Sequence, residues 1–163
     1  MDKQRFDKIT GAFSQKSILV IGDVMLDKFM WGKADRISPE APVPIISIDK
    51  ISHSPGGAAN VALNIKSMGA TPFLVSLIGV DYYGNQLVDL LKKEQIDTSY
   101  LLKDASRKTT CKTRILARNQ HLIRYDHESV HFIDEKLQNE ILSSIKKIIA
   151  EESIVVIIFQ DYN

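Results

Sequence analysis

Residues 56–84 read GGAANVALNIKSMGATPFLVSLIGVDYYG. The pair Gly56-Gly57, following Pro55, breaks any extended segment that precedes it. Ala58 to Met68 reads as a helix, with Gly69 as its C-terminal stop. Phe73 to Ile78 is a nearly unbroken apolar run closed by Gly79. Helical spacing returns with Tyr83, Leu87, Leu90 and Leu91. The stretch is therefore a helix, a strand and a helix in succession, and its strand is apolar on both faces. That is the pattern of a parallel sheet covered by helices on both sides.

The same alternation extends outward. Upstream, Ile18 to Ile21 are consecutive and apolar, so Ser17 to Ile21 reads as a buried strand ended by Gly22 and Asp23. Phe6, Ile9 and Phe13 suit a short amphipathic helix within residues 2–15. Downstream, Leu137, Ile141, Ile145 and Ile148 mark a long helix, and Ile154 to Phe159 reads as another buried strand. Two segments interrupt the alternation. Residues 24–33 look extended but irregular, and the stretch from Ile37 to Pro44 holds three of the five prolines, which predicts an extended loop. Ile45 to Ile51 alternates as a strand, to be broken at Pro55-Gly56-Gly57. Residues 109–126 are β-like, with Arg118-Asn119-Gln120-His121 as a hairpin turn. Segments 24–51 and 109–126 are expected to fold back over one end of the sheet as a lid. There is no internal repeat and no linker, so residues 1–163 are read as one unit.

Composition narrows the function. Of 163 residues, 44% are hydrophobic and 25% charged, which excludes disordered and low-complexity classes. The net charge of +1 offers no global field for nucleic acid or an anionic membrane. One cysteine, Cys111, permits neither an intrachain disulfide nor a cysteine zinc cage. The apolar run Ile154 to Phe159 is far shorter than the ~20 residues of a spanning helix, and the charged start Met1-Asp2-Lys3-Gln4-Arg5 is unlike a signal peptide. A cytoplasmic protein is expected, with no membrane and no nucleic-acid partner. No glycine follows Gly84, so a glycine-rich phosphate loop would have to lie in the first half.

Three constellations could carry chemistry. The first is Gly22-Asp23-Val24-Met25-Leu26-Asp27 at the carboxyl end of the first strand, where ligands bind in open α/β sheets. Its aspartates suit either sugar hydroxyls or a turn in which they cap backbone donors. The second is Gly56-Gly57-Ala58-Ala59-Asn60, where Asn60 falls in a helix's first turn. That suits a ligand amide contact or simply a helix start packed tightly on a sheet. The third is the ribbon, made basic by Lys103, Arg107, Lys108, Lys112, Arg114, Arg118 and Arg124 against Asp104 and Asp126. Lys112 and Arg114 are two apart and share a face. They suit a sugar phosphate, or the charged edge of a solvated strand. His53, His121, His127 and His131 fit no metal spacing, so no metal site is expected. Trp31, Tyr82 and Tyr83 read as packing.

The order Gly56-Gly57-Ala58-Ala59-Asn60-Val61-Ala62, then Gly69, Gly79, Asp81 and Gly84, resembles the first signature of the PfkB carbohydrate kinases, the ribokinase-like family. Gly22 to Asp27, Arg36 to Pro44, and Arg118-Asn119-Gln120 followed by Arg124 and Asp126 look like one branch. These are the D-glycero-β-D-manno-heptose-7-phosphate kinases, which stand alone or form the N-terminal half of ADP-heptose synthase, a bifunctional kinase/adenylyltransferase. The resemblance spans about Ile18 to Asn163. It implies a three-layer α/β/α fold with a mostly parallel sheet and a projecting β lid. It implies transfer of phosphate from Mg-ATP to O1 of the heptose phosphate, in lipopolysaccharide core biosynthesis. It makes Asp27 a sugar-hydroxyl acceptor and Gly56, Gly57 and Asn60 sugar contacts. It makes Asp161 a further substrate-facing acid and the lid a closing element through which a homodimer forms. Lys112, Arg114 and Arg124 are the lid cations open to the sugar's phosphate.

The family's second signature, Gly-Ala-Gly-Asp, carries the catalytic aspartate and has no counterpart here, so the resemblance implies that residues 1–163 are the N-terminal part of a truncated kinase domain, with the sugar side and the lid but not the base or the ATP side of the intact protein. Residues 1–163 alone are therefore expected not to phosphorylate a sugar, since such a base contributes roughly 10²–10⁴-fold. Ile154 to Phe159 is expected to lack neighbours on one side and to leave an apolar surface. A second class stays open, a non-catalytic binding or oligomerising module.

Overall fold

The computed structural model describes residues 2–118 and 120–162. Four strands form one parallel sheet: β1 (Ser17–Gly22), β4 (Thr71–Gly79), β5 (Leu101–Asp104) and β8 (Ile154–Gln160), in the order β5-β4-β1-β8. The three apolar runs of the sequence thus lie side by side; Ser17 to Ile21 and Phe73 to Ile78 are buried at their centres, but the strand expected to be buried at Ile154 to Phe159 is largely exposed because nothing pairs with its outer edge among the described residues. Val20 and Leu74 point to one face and pack on Ala58, Ala62 and Ile65 of α2 (Ala58–Ser67) and on Leu87 and Leu91 of α3 (Tyr82–Lys93). Leu19 and Val75 point to the other and pack on Ile141, Ile145 and Ile148 of α4 (Glu135–Glu151). Three layers result. The short helix α1 (Lys3–Gly11) precedes a 3₁₀ turn at Phe13–Gln15. Strand β5 has too few residues to show a pattern and was not expected. β8 lies at the edge of the sheet, and its Phe159 is 74% exposed.

The second sheet corrects the reading of residues 24–57. Residues 24–33 are extended with an irregularity, as expected, but they belong to a longer strand, and the break at Pro55-Gly56-Gly57 does not exist. β2 (Val24–Ile37) and β3 (Pro44–Gly57) are continuous 14-residue strands paired antiparallel. The expected loop between Ile37 and Pro44 is present over residues 38–43, closed by Ser38 N–H donating to the Val43 carbonyl at 2.8 Å. Two irregularities, at Trp31/Gly32 and Ala34/Arg36, reset the alternation and hide the two-residue period. Pro55 is tolerated because β3 is an edge strand, where a missing N–H costs no ladder bond. β6 (Cys111–Ala117) runs parallel to β2, and β7 (Gln120–His127) returns antiparallel to β6, giving the order β3-β2-β6-β7. The expected hairpin turn between β6 and β7 includes Asn119, which lies outside the described residues; Arg118 before it has a positive φ of 50°. Among the described residues no helix is long and apolar enough to cross a membrane.

Candidate functional site

The two aspartates that the sequence left open have different positions. Asp23 sits where β1 ends and is a junction. Its N–H donates to the Gln160 carbonyl at 2.9 Å, and its own carbonyl accepts from Ala58 N–H at 2.8 Å. Its Oδ2 accepts from Tyr162 N–H at 3.0 Å. Asp23 thus ties the ends of β1 and β8 to the start of α2, as a capping residue does. Ser76, buried within the apolar strand β4, supports the same corner. Its hydroxyl donates to the Gly22 carbonyl and accepts from Val24 N–H at 3.2 Å. Sequence reasoning missed Ser76, although a lone serine inside an apolar run is a visible signal.

Asp27 lies in β2, with a side chain 21% exposed. Its Oδ1 accepts from Arg114 Nη1 at 2.5 Å. Its Oδ2 rests against Gly56, where a Cβ would stand 2.4 Å away. Gly57 has φ +59° and ends β3 as the N-cap of α2; a Cβ there would meet the Asp23 carbonyl oxygen at 2.2 Å. The glycine pair therefore lets β2, β3 and α2 converge beside Asp27. Asn60 is exposed in the first turn of α2. Asp161 directly follows β8 and is exposed.

The cations of the second sheet form an ordered pattern. In register, Asp27, Lys112 and Asp126 make one row across β2, β6 and β7, and Phe29, Arg114 and Arg124 make the next. Charges pair within and between these rows. Lys112 Nζ donates to Asp126 Oδ2 at 3.0 Å and to Glu128 at 3.5 Å, and Arg124 Nη2 donates to the same Asp126 oxygen at 3.1 Å. Burial opposes the charged form of Asp126, but Lys112 and Arg124 outweigh it and hold its carboxyl below the usual carboxylate range. Its Oδ1 is buried without a hydrogen-bond partner among the described residues.

A cavity of about 460 Å³ opens between this pattern and the sheet. Gly22, Asp23 and Ser76 bring the carboxyl ends of β1 and β4 to it, and Lys112, Arg124 and Asp126 bring the second sheet. Asp27, Gly56 and Asn60 are not in its wall, and neither is Arg114. The structure thus gathers Asp27, Gly56, Gly57 and Arg114 in one cluster. Lys112 and Arg124 form a second, one register row away. The first offers a carboxylate for hydroxyl donors, and the second offers cations for an anion.

The loop that feeds β6 is fastened by the same stretch that opened the sequence reading. Asp81 caps α3, accepting from Gly84 N–H at 2.7 Å, and also accepts from Thr109 N–H at 2.7 Å. The Thr109 hydroxyl accepts from Gly79 N–H at 2.8 Å. Burial opposes the charged Asp81, but the bonds from Thr109 and Gly84, with His127 nearby, prevail and hold its carboxyl below the ordinary range. Gly79, Asp81 and Gly84 therefore anchor the second sheet.

The pfkB family carbohydrate kinase profile matches residues 15–158. The chain belongs to that family. Among curated pfkB relatives, the bifunctional protein HldE of Helicobacter acinonychis (strain Sheeba) is 45% identical over 148 residues, which cover 91% of this chain and 32% of the relative. HldE of Aliarcobacter butzleri (strain RM4018) is 43% identical over 141 residues, covering 86% and 30%. The chain thus spans about a third of the length of these relatives. Solved structures share the ribokinase-like fold. A carbohydrate kinase from Agrobacterium tumefaciens superimposes with a TM-score of 0.56 at 22% identity, covering 68% of this chain and 35% of that one. A ribokinase from Cryptococcus neoformans var. grubii serotype A, solved in complex with ADP, gives 0.55 at 20%, covering 88% and 49%.

Proposed function

We propose that this chain is the sugar-binding part of a kinase that transfers the terminal phosphoryl group of ATP to O1 of D-glycero-D-manno-heptose 7-phosphate, a step toward the ADP-activated heptose of lipopolysaccharide core. The observation that carries this reading is the adjacency of the two clusters. An unphosphorylated sugar would need only the carboxylate side. The Lys112 and Arg124 pair, lining a cavity one register row from Asp27, suits a sugar that already bears a phosphate. The 43–45% identity to HldE proteins supports the same branch. In this reading Asp27 accepts sugar hydroxyls, Gly56 and Gly57 let the sugar approach the backbone, and Asn60 and Asp161 complete the polar contacts. Phosphoryl transfer is mainly positioning and charge stabilisation, so these residues act by holding the acceptor in place.

ATP with Mg²⁺ would supply the phosphoryl group. No glycine follows Gly84, so the family's Gly-Ala-Gly-Asp element is not among residues 1–163. Residues 1–163 are therefore assigned the sugar side only.

The reading is tested by titrating the intact protein with heptose 7-phosphate and with unphosphorylated heptose. Wild type should prefer the phosphorylated sugar. Replacing both Lys112 and Arg124 with Ala should remove most of that preference, since each charge-assisted bond contributes about 1.5–3 kcal/mol, and should leave the heptose affinity nearly unchanged. A preference that survives the double substitution contradicts the phosphate site.

The face of the second sheet opposite the charge rows carries an apolar row, Ile51, Met30, Ile115 and Ile123 in register, with Ile51 and Ile123 about half exposed. It favours a homodimer formed through this sheet. Sedimentation of the intact protein should give a dimer that Ile123→Lys converts to monomer. A monomeric wild type rules this out.

A further inference from the structure

We propose that Arg114 is a positioning residue for Asp27 and not a ligand of the substrate's phosphate. The proposal rests on the sugar-site reading of Asp27 given above. In register Arg114 stands opposite Phe29, not opposite Asp27. Its guanidinium nevertheless reaches back one row to Asp27 Oδ1, and the same Nη1 donates to the Lys112 carbonyl at 3.4 Å. The guanidinium lies over the Phe29 ring, 5.3 Å from its centroid, and that ring stacks on Trp31 at 5.6 Å. The other oxygen of Asp27 rests against Gly56. The carboxylate is thus held from two sides, by a charged donor and by a backbone with no side chain. An ionised carboxylate has about four acceptor positions, so those not taken by Arg114 remain for sugar hydroxyls in a fixed orientation. Fixing the acceptor before the sugar arrives removes a rotamer cost from binding.

The neighbouring charges divide the work. Arg114 faces Arg124 directly across β6 and β7, an arrangement of like charges that is destabilising unless each is neutralised. Asp27 takes Arg114, and Asp126 takes Arg124. Arg124 and Lys112 still line the cavity, whereas Arg114 does not. Lys112 and Arg124 are likewise paired, with Asp126, but they face the cavity and giving up that partner leaves Asp27 in place, whereas a phosphate drawn to Arg114 would have to strip it from Asp27 and unmake the hydroxyl site. Lysine cannot substitute fully, because the position uses both a donor aimed at a carboxylate and a flat cation lying on a ring.

The test is a double-mutant cycle in the intact protein, with Asp27→Asn, Arg114→Gln and the pair, titrated with heptose 7-phosphate and with heptose. Binding is counted per folded molecule by circular dichroism. Arg114→Gln should weaken both sugars by the same factor, about tenfold, and should add almost nothing once Asp27→Asn is present, as expected for directly coupled groups. Arg114→Lys should restore part of the loss, and Phe29→Leu should act in the same direction but less. A loss confined to the phosphorylated sugar would make Arg114 a phosphate ligand and overturn the proposal. Losses that simply add to those of Asp27→Asn would also overturn it, by assigning Arg114 to lid structure. If Arg114→Gln does not fold, Arg114→Lys carries the test, and its loss must likewise vanish beside Asp27→Asn. A wild type that binds neither sugar overturns the heptose reading itself, and this proposal with it.

Discussion

Replacing Asp27 with alanine should weaken sugar binding by at least two orders of magnitude while leaving ATP binding nearly unchanged. Two effects add. The sugar loses charge-assisted hydrogen bonds worth about 1.5–3 kcal/mol each. Arg114, only 22% exposed, loses its carboxylate and stands as a part-buried cation beside Arg124. Asp27→Asn keeps the shape and removes only the charge, so it should fall between wild type and alanine. The check is calorimetric titration of each variant with heptose 7-phosphate and, separately, with ATP. An unchanged sugar affinity in Asp27→Ala would reduce Asp27 to a partner of Arg114 alone.

The second large effect concerns the fold beneath the site. Gly57→Ala should destabilise the protein by more than ~3 kcal/mol, in the range of the severe backbone and overpacking substitutions. The added Cβ would stand 2.2 Å from the Asp23 carbonyl oxygen, which is itself bonded to Ala58 N–H. That oxygen is backbone and cannot rotate away. The φ of +59° adds strain for any L side chain. The β1–β2 corner would have to separate from α2, and the clash would reach the site through Met25, whose methyl lies 2.9 Å from the same Cβ. Urea unfolding measures the change. A midpoint within experimental error of wild type would mean that this corner is slack and does not preorganise Asp27.

The parallel sheet was legible because its strands are apolar runs, although only β1 and β4 are buried at their centres and β8 is largely exposed. Ile18 to Ile21, Phe73 to Ile78 and Ile154 to Phe159 need no alternation, so each stands out as an apolar run. The long hairpin β2–β3 was legible only in part: residues 24–33 read as extended and Ile45 to Ile51 as a strand, but not their full length or their pairing. Its irregularities shift the side-chain period mid-strand, and its proline sits on an edge where proline does no harm. β5 has only four residues and little pattern.

The candidate site divides in the same way. Asp27, Gly56 and Gly57 could be picked out because close backbone approach needs glycine and the spacing matches a signature. Which cation serves which carboxylate could not be read. Arg114 meets Asp27 across 87 residues of chain, through a parallel pairing of β2 with β6. That register is set by the connection through β4, α3 and the anchored Thr109, and local sequence does not encode it. Grouping Arg114 with Lys112 by their two-residue spacing placed them on the same face correctly, but a shared face does not imply a shared partner.

The central claim is the proposal that this chain is the sugar-binding part of a kinase acting on a sugar that already carries a phosphate. Its most direct test is ADP release by the intact protein from ATP, measured with heptose 7-phosphate, with unphosphorylated heptose, and with no sugar. The account predicts rapid ADP formation with heptose 7-phosphate, accompanied by a heptose bisphosphate detectable by phosphorus NMR, and little with the other two. Equal turnover of the unphosphorylated sugar, or no turnover of heptose 7-phosphate, would contradict it.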